Sequence, residues 1–452
     1  MDTPPLPNAI PPFYATRKIN QSFDLYEGPI EVTTADGTFE GKGTIKQQWL
    51  PKPTIDLECQ YNGKSLEKPE AEIGLPGAKK RFALSVTSYG YGAQGSEVYA
   101  TLGGLPNGMV WGSVDSINKL RFHIPNFLWF EGAPIQEADE TAEDGEVSPI
   151  GRRATFSAED WVITIDSVPG FKFGSDFKIE DQSGNAITHV GELVKQDGSS
   201  FAVSSTESIL LQIYQWLSFC RGNWVAPILS VGLDESGQVV WKDWRQWNFR
   251  HSEHLPTWLN RSNAESLEQS FPGFCARSKD LIWAGPIKRV LAWYVECNRR
   301  ASGLEASIIL CQTALELLGW ASLAQDKRVI SQKGFQDLPA ADKIRLLLAS
   351  FEIPLTIPIY LNALRQLAKE YNWSDGPECL VGTRNALVHP QQKNTLKLES
   401  ISSVAFFEIW SLGMWYLDLI LLRLFDYKVV YRNRLKTLCP YHDTLEPLPW
   451  TK

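Results

Sequence analysis

The stretch TRNALVHPQQ, residues 383–392, places an arginine, an asparagine and a histidine within six residues. Arg384 carries a permanent charge on a planar fork that fits a phosphate, and His389 can take or give a proton near neutral pH. Asn385 can orient either group. These are the side chains needed for metal-free RNA cleavage, in which the ribose 2′-hydroxyl attacks the neighbouring phosphorus. The alternative is an ordinary helix end, because Pro390 forbids continuation and the helix dipole favours a histidine there.

Helix geometry sets a condition on the chemical interpretation. At about 100° per residue, positions 384 and 389 lie about 140° apart around a continuous helix, so their side chains would not converge. Two routes restore convergence. Pro390 disfavours the helical conformation at His389, so the backbone can turn there; or two chains pair and each supplies its motif to a shared cleft.

The elements that must position these residues fall into three regions, which together predict a multidomain α+β protein. Residues 1–205 contain short β-like runs bounded by turn residues, such as SFDLYEGPIEVTT and RFALSVTSYG, and are typical of a sandwich or barrel. An acidic loop interrupts them at 137–149. Residues 206–280 form a small α+β connector, with a helix in ESILLQIYQWLSFCRG and strands in APILSVGLDESGQVVWKDW.

Residues 281–452 predict an α-helical bundle. GLEASIILCQTALELLGW repeats apolar residues at helical spacing, and ADKIRLLLASF (341–351) and PIYLNALRQLAKEY (358–371) follow it. The last of these is expected to start at Pro358, where the missing N–H costs nothing.

The segment AFFEIWSLGMWYLDLILLRLF, residues 405–425, is long enough to span a membrane. It contains Glu408, Asp418 and Arg423, so we interpret it as a buried helix rather than a transmembrane one. Because it is apolar nearly all round, its own bundle or a partner chain must cover it, which suggests dimerisation.

Composition is that of a soluble globular protein, with 43% hydrophobic and 21% charged residues in 452. Residues 281–452 hold 20 basic and 16 acidic residues, a net charge of +4, which leaves −12 for the preceding residues out of a total of −8. The seven cysteines are scattered without a CxxC pair, as in reduced cytosolic proteins. The proline-rich N-terminus lacks the apolar run of a signal peptide. We therefore expect a cytoplasmic protein.

Other motifs give weak signals. Gly90, Gly92 and Gly95 have dinucleotide-loop spacing, but a strand pattern follows them, which favours a hairpin turn. His251 and His254 lack a third ligand for zinc and are interpreted as a satisfied surface pair, and Cys439 with His442 as structural. No GxSxG, P-loop or HExxH motif is present. Neither a metal nor a cofactor is expected.

The sequence RNALVH resembles the R-x(4–6)-H signature of the HEPN superfamily. An ALELL helix about 70 residues earlier and an apolar helix afterwards agree with that resemblance. The whole layout is similar to ApeA-type anti-phage proteins. The resemblance implies a homodimer with a composite cleft, no metal, and cleavage that leaves a cyclic phosphate. It further implies that Arg384 stabilises the phosphorane, Asn385 orients and His389 acts as acid or base, with Glu316 a candidate supporting partner.

The expected function is a metal-independent endoribonuclease that acts as an anti-phage or toxin effector in abortive infection. The acidic N-terminal region would sense a phage-derived trigger or restrain the helical domain. A cluster of cations after the last helix is expected to grip the RNA backbone, namely Lys428, Arg432, Arg434 and Lys436. One alternative is a non-catalytic HEPN module that binds nucleotides or dimerises. Another is a ligand-binding protein whose main function lies in the β-rich region.

Overall fold

The fold is known from a computed structural model that describes residues 5–16, 18–62, 70–78, 81–92, 95–101, 110–138, 147–389, 391–436 and 444–451. It is a multidomain α+β protein, as the sequence predicts. The chain forms two compact units: a β-rich unit, Met1–Tyr214 with Trp224–His254, and a helical unit, Gln215–Asn223 with Leu255–Lys452. The residues predicted as a connector contribute to both units, and the predicted boundaries near 205 and 280 stay predictions.

Six antiparallel strands at the start of the β-rich unit close into a barrel in the order β1-β2-β3-β6-β5-β4. Burial alternates along β1, so that Ile30 and Val32 face the core while Glu31 faces out, as the period-2 pattern requires. The strands are β1 (Phe23–Thr34), β2 (Gly37–Gln48), β3 (Thr54–Tyr61), β4 (Glu70–Gly74), β5 (Phe82–Gly92) and β6 (Gly95–Thr101).

An eight-stranded antiparallel sheet follows, in the order β10-β11-β12-β13-β9-β15-β16-β7. The run RATFSAEDWVITI forms the hairpin between β11 and β12, in which Ala158 pairs with Trp161. Its strands are β7 (Val110–Trp111), β9 (Lys119–Pro125), β10 (Ala133–Ala138), β11 (Val147–Ala158), β12 (Trp161–Ser167), β13 (Ile187–Lys195), β15 (Ile228–Leu233) and β16 (Val239–Asp243). The short pairs β8 (Ser116–Ile117) with β14 (Phe201–Ala202) and β17 (Tyr431–Arg432) with β18 (Leu445–Glu446) complete the strands.

The chain before β1 is tied to this sheet by buried polar groups. The Nε2 atom of His123 accepts the backbone N–H groups of Phe13 and Tyr14, each at 3.0 Å, and its Nδ1 lies 3.1 Å from the carbonyl oxygen of Leu229. Burial lowers the pKa of His123 to about 4. His123 is therefore neutral at physiological pH, with its proton on Nδ1.

The helical unit is built around two core helices, α5 and α11, and α9, which carries the RNALVH motif, packs against both. The helices within the described residues are α1 (Ser175–Asp181), α2 (Thr206–Arg221), α3 (Glu265–Lys279), α4 (Ala284–Arg299), α5 (Gly303–Gly319), α6 (Gln332–Asp337), α7 (Ala340–Ser350), α8 (Asn362–Glu370), α9 (Gly376–Val388), α10 (Gln392–Ser400) and α11 (Ser403–Leu424). A π-helical stretch, Trp320–Asp326, continues α5.

The predicted start of α8 at Pro358 is wrong by four residues. The helix begins at Asn362, after a turn in which the N–H of Leu361 donates to the carbonyl oxygen of Pro358. The carboxylate of Glu408, from α11, accepts the N–H of Leu364 at 2.7 Å and so satisfies one of the free amides of the first turn. This tertiary contact fixes the start, and a local pattern does not encode it.

The charges within the apolar segment 405–425 all have partners inside the helical unit. Glu408 caps α8, Asp418 pairs with Arg434 at 2.6 Å, and Arg423 pairs with Glu352 at 2.8 Å. Of the 22 residues of α11, 17 are buried, so the interpretation as a buried helix is confirmed. Other helices of the unit cover α11, and it therefore does not call for a partner chain.

Two helices are long and apolar enough to be considered as membrane spans, Gly303–Asp326 and Ser403–Leu424. Their most apolar windows are 61% and 83% buried inside the protein, which is the behaviour of core helices. The six cysteines within the described residues are buried and are not joined in disulfides, in line with the scattered pattern in the sequence.

Candidate functional site

The helix that carries the motif, α9, is firmly anchored at its N-terminus. The side chain of Asp375 accepts the N–H of Glu378 at 2.9 Å as an N-cap, and Pro377 occupies the first turn, where no N–H is needed. Arg345 from α7 forms ion pairs with Asp375 at 2.6 Å and Glu378 at 3.1 Å. These hydrogen bonds to carboxylates raise the pKa of Arg345. The N-terminus of α9 is thus held to α7 by charged contacts.

Close packing fixes the middle of α9. Gly376 approaches the hydroxyl of Tyr416 on α11 so closely that a Cβ would collide with it. Gly382 lies against the indole of Trp373, where a Cβ would come within 2.8 Å of the ring. Burial raises the pKa of the Cys379 thiol to about 12, so this thiol is inert at neutral pH. The motif that follows therefore sits at the end of a rigid support.

Arg384 and Asn385 lie together at the last full turn of α9. Arg384 is half-buried and Asn385 is exposed, and the Nη1 of Arg384 donates to the Oδ1 of Asn385 at 3.3 Å. The buried Nε of Arg384 has no hydrogen-bond partner in the described part of the chain. The side chain as a whole is half-exposed and forms no ion pair within the described residues, so an incoming anion could contact the accessible part of the guanidinium.

His389 leaves the helix where the sequence predicts that it should. It is the C-cap of α9, with φ −112° and ψ 101°, which is extended rather than helical backbone. Its N–H donates to the carbonyl oxygen of Asn385 at 3.1 Å, and its own carbonyl oxygen accepts the side-chain amide of Asn394 at 2.7 Å. The imidazole is on an exposed residue. Pro390, to which the prediction assigned this turn, lies outside the described residues.

The three motif residues share one helix end without forming a closed triad. Arg384 contacts Asn385, whereas no hydrogen bond joins Arg384 to His389 among the described residues. The arrangement offers a half-exposed cation and, five residues further on, an exposed imidazole.

Glu316 lies on α5, which packs against α9. Its carboxylate accepts a hydrogen bond from Gln312 and pairs with Lys343 at 3.8 Å. Within the described residues its polar contacts are with these two side chains and not with the motif. A supporting role for Glu316 at the motif stays a prediction.

The prediction that four cations after the last helix contact the RNA backbone needs correction. Arg434 is buried, with 2% of its side chain exposed, and both its Nε and Nη2 donate to Asp418. Lys436 pairs with Glu446 and Lys428 with Asp426. Three of these cations thus have acidic partners, two of them more distant in the chain and one, Asp426, two residues before Lys428.

Arg432, the fourth cation of that group, is half-buried in the pairing of β17 with β18. Of the other three, Lys428 keeps most of its side chain exposed, 67%, although Asp426 compensates its charge. A buried Arg434 cannot touch a phosphate, so the four residues do not form a joint backbone contact.

Two of the remaining motifs have structural explanations within the described residues. Gly92 pairs with Gly95 across the β5–β6 hairpin, which confirms the turn interpretation. His251 lies 3.2 Å from Glu253, and the two ring nitrogens of His254 lie 2.9 Å and 2.8 Å from Glu180 and Asp181, so both histidines are satisfied surface residues. Cys439 and His442 lie outside the described residues. No cluster of three metal-binding side chains occurs within the described ranges.

Sequence reasoning missed one exposed pair of cations near the motif. Arg365 and Lys369 lie one turn apart on α8, are exposed, and have no acidic partner in the part of the chain that the structure describes. The pair could have been found in the sequence, because the two cations have i,i+4 spacing in the helical run RQLAKEYNW. The cations after α11 are denser in the sequence and therefore give the stronger local signal.

The chain resembles known proteins over nearly its whole length. The family described as the YopA C-terminal domain matches residues 280–444, and the YopA central domain matches residues 112–254. The chain is 28% identical over 444 residues to the SPbeta prophage-derived uncharacterized protein YopA of Bacillus subtilis (strain 168), covering 96% of each chain. No solved structure matches significantly. Both α8 and the motif on α9 fall within the C-terminal match.

Proposed function

We propose that this protein is a metal-independent endoribonuclease of the HEPN type that acts in the cytoplasm as an anti-phage, toxin-like effector of abortive infection. The observation that carries the proposal is the end of α9. There a half-buried Arg384 forms no ion pair within the described residues, and the extended backbone of His389 turns an exposed imidazole out of the helix. An arginine fork and a free imidazole are the groups that metal-free cleavage of a phosphodiester requires.

The chemistry assigns one role to each side chain. His389 accepts the proton of the ribose 2′-hydroxyl as this oxygen attacks the adjacent phosphorus. The new bond between O2′ and phosphorus forms while the bond to O5′ breaks, and a protonated imidazole supplies the proton that O5′ takes up. Arg384 stabilises the extra negative charge on the non-bridging oxygens, and Asn385 holds the guanidinium. The products are a 2′,3′-cyclic phosphate and a 5′-hydroxyl.

A homodimer through the helical unit is part of the proposal. One chain provides one imidazole, and a second copy across a two-fold axis would supply the acid that protonates O5′. Exposed apolar side chains close to the motif support this pairing: Leu396 on α10 is 61% exposed and Val404 at the start of α11 is 57% exposed. Such side chains are costly to leave in water and favour burial between copies.

The regulatory part of the proposal concerns the β-rich unit, which would sense a phage-derived trigger or restrain the nuclease. Phe173 and Phe177 are 71% and 42% exposed there, and Phe173 makes an edge contact with Trp129. An exposed aromatic group of this kind suits contact with another macromolecule. The prophage-derived origin of the similar protein YopA supports a role connected with phages.

The decisive experiment measures degradation of RNA in EDTA by the wild type and by Arg384→Ala and His389→Ala. Loss of a positioned acid–base or of a phosphate-stabilising cation lowers cleavage about 10²–10⁴-fold. Gln391→Ala is a matched control, because Gln391 is exposed, lies two residues after His389 and uses only its backbone in the hydrogen bonds of the described residues. Growth after expression of each variant provides the cellular readout, with toxicity lost in the two motif variants.

The outcomes separate the alternatives. Cleavage that persists in both motif variants, or that disappears in the wild type only on chelation, contradicts the mechanism. RNA binding that requires Arg384 and His389 without any cleavage, also in the presence of infecting phage, favours the non-catalytic HEPN module. A phenotype that depends on Phe173 and not on the motif favours a ligand-binding function of the β-rich unit.

A further inference from the structure

A cleft of about 540 Å³ opens beside α8 in the helical unit. One wall is the exposed face of α8, with Arg365 and Lys369, and the other is formed by Trp373 and Ser374 between α8 and α9. Its size lies within the range of ligand-binding clefts. Thr356 and Asn372 add a hydroxyl and an amide to the lining.

The charges of this cleft are not compensated. Carboxylates are missing from its lining, and Arg365 and Lys369 form no ion pair within the residues that the structure describes. The nearby acids are engaged elsewhere: Glu370 accepts from Gln366 at 3.2 Å, and Glu378 binds Ser374 and Arg345. Two cations at i,i+4 have Cβ atoms about 6 Å apart, so they can contact one phosphate or two neighbouring ones.

Trp373 connects this cleft to the catalytic motif. Its indole lies against Gly382 on α9, and Lys397 from α10 stands 4.3 Å from its ring centroid. Asn385 is three residues after Gly382 and so lies on the same side of α9, about 4.5 Å further along the axis. The end of α9 at His389 is about 10 Å from Gly382 by the same rise per residue. The cleft and the motif are therefore neighbours along one helix.

We propose that the α8 cleft binds the phosphodiester backbone of single-stranded RNA and guides it to the motif at the end of α9. This inference rests on the proposed function, whose substrate it places on the surface. Arg365 and Lys369 neutralise phosphates. Trp373, whose ring stacks on Tyr371 with centroids 5.3 Å apart and has Lys397 at 4.3 Å, adds an aromatic edge to the cleft wall, and cations beside aromatic side chains are typical of single-strand binding. The cleft takes the role that the sequence assigned to the cations after α11, which acids of the fold neutralise.

The test uses the full chain with His389→Ala, so that bound RNA stays intact. Into this background go Arg365→Gln with Lys369→Gln, or, as a matched control, Lys288→Gln with Arg289→Gln. The control removes two exposed cations of α4 that also lack an acidic partner among the described residues. Fluorescence anisotropy of a labelled single-stranded RNA is measured from 50 to about 300 mM salt.

The cleft variant is expected to bind RNA about tenfold more weakly or worse, and the slope of log K against log salt is expected to fall by about 1.4, or about 0.7 for each phosphate that is no longer neutralised. The control variant at Lys288 and Arg289 should show the same slope of log K against log salt as the His389→Ala protein. Equal slopes in the two pairs, or no RNA binding by any of the proteins, would overturn the inference. So would a poly-glutamate peptide that binds through Arg365 and Lys369 while RNA does not.

The inference can fail separately from the proposed chemistry. If Arg384→Ala and His389→Ala cut RNA like the wild type, the catalytic assignment is wrong, whereas the salt slope still reports on the cleft. If cleavage requires Arg384 and His389 while the slope of log K against log salt is unchanged by the substitutions at Arg365 and Lys369, RNA binds at another surface.

Discussion

Acidification is expected to destabilise the β-rich unit through a single buried histidine. His123 is fully buried, and its Nε2 accepts two backbone N–H groups. A proton on Nε2 would remove both hydrogen bonds and would point towards the two N–H groups, which repel it. Its pKa is lowered from 6.5 to about 4, mainly by burial. The folded protein therefore binds fewer protons at this site than the unfolded chain between these two values, and its stability rises with pH across that window.

The magnitude follows from the two pKa values of His123. A fall from 6.5 in the unfolded chain to about 4 in the folded protein, at about 1.36 kcal/mol for each pH unit, corresponds to about 3 kcal/mol in total. This stability is fully present above pH 6.5 and is lost as the pH falls towards 4. By about pH 5 the loss amounts to about 2 kcal/mol. That is a large share of the net stability of a typical domain.

The assay compares urea unfolding of the wild type and His123→Gln between about pH 7.5 and about pH 5. Glutamine can accept the same N–H groups through its carbonyl and does not titrate, so the difference between the two proteins isolates His123 from the other titrating groups. The variant should lose about 2 kcal/mol less than the wild type over this range. In carbon-13 NMR, the histidine signal missing from the variant should titrate near pH 4. A titration midpoint near pH 6.5, or an equal loss of unfolding free energy in the two proteins as the pH falls, refutes the reasoning.

Two further predictions concern the helical unit. Asp418→Ala removes the carboxylate that balances the buried charge of Arg434 and should cost about 3–5 kcal/mol in denaturant unfolding, while replacing both with leucine and methionine should recover most of it; a loss below about 1 kcal/mol would contradict the buried pair. Glu408→Ala leaves an amide of α8 without its acceptor and should cost about 1–3 kcal/mol, with Glu408→Gln losing less. Because α8 carries the cleft, Glu408→Ala should also weaken RNA binding, and equal costs for the two Glu408 variants would argue against the cap.

Periodicity was sufficient for the amphipathic helices α5 and α7. GLEASIILCQTALELLGW forms α5 and ADKIRLLLASF forms α7 within one or two residues of the predicted ends, because each buries one continuous apolar face. The helix α3 was missed inside the predicted connector. Its Pro272 and Gly273 interrupt the helical signal, and the close approach of Gly273 to the backbone of Phe425 explains the glycine.

Charge was where local reasoning failed. The cations at 428–436 form a dense cluster in the sequence, yet Asp418, Asp426 and Glu446 neutralise three of them in the fold. Arg365 and Lys369 are sparser in the sequence but stay uncompensated among the described residues. The partners of Arg434 and Lys436 come from α11 and β18, so the availability of these two charges depends on which acids the fold brings to them.

The sequence by itself determined the α+β class, the helical setting of the motif and the departure of His389 from helical geometry, since hydrophobic spacing and the conformational limit before a proline act locally. Only the tertiary structure decided that Arg384 keeps a free donor within the described part of the chain, that Arg434 is buried and that α8 starts at the carboxylate of Glu408. Those outcomes depend on contacts between residues far apart in the chain, and burial and pairing of polar groups are properties of such contacts.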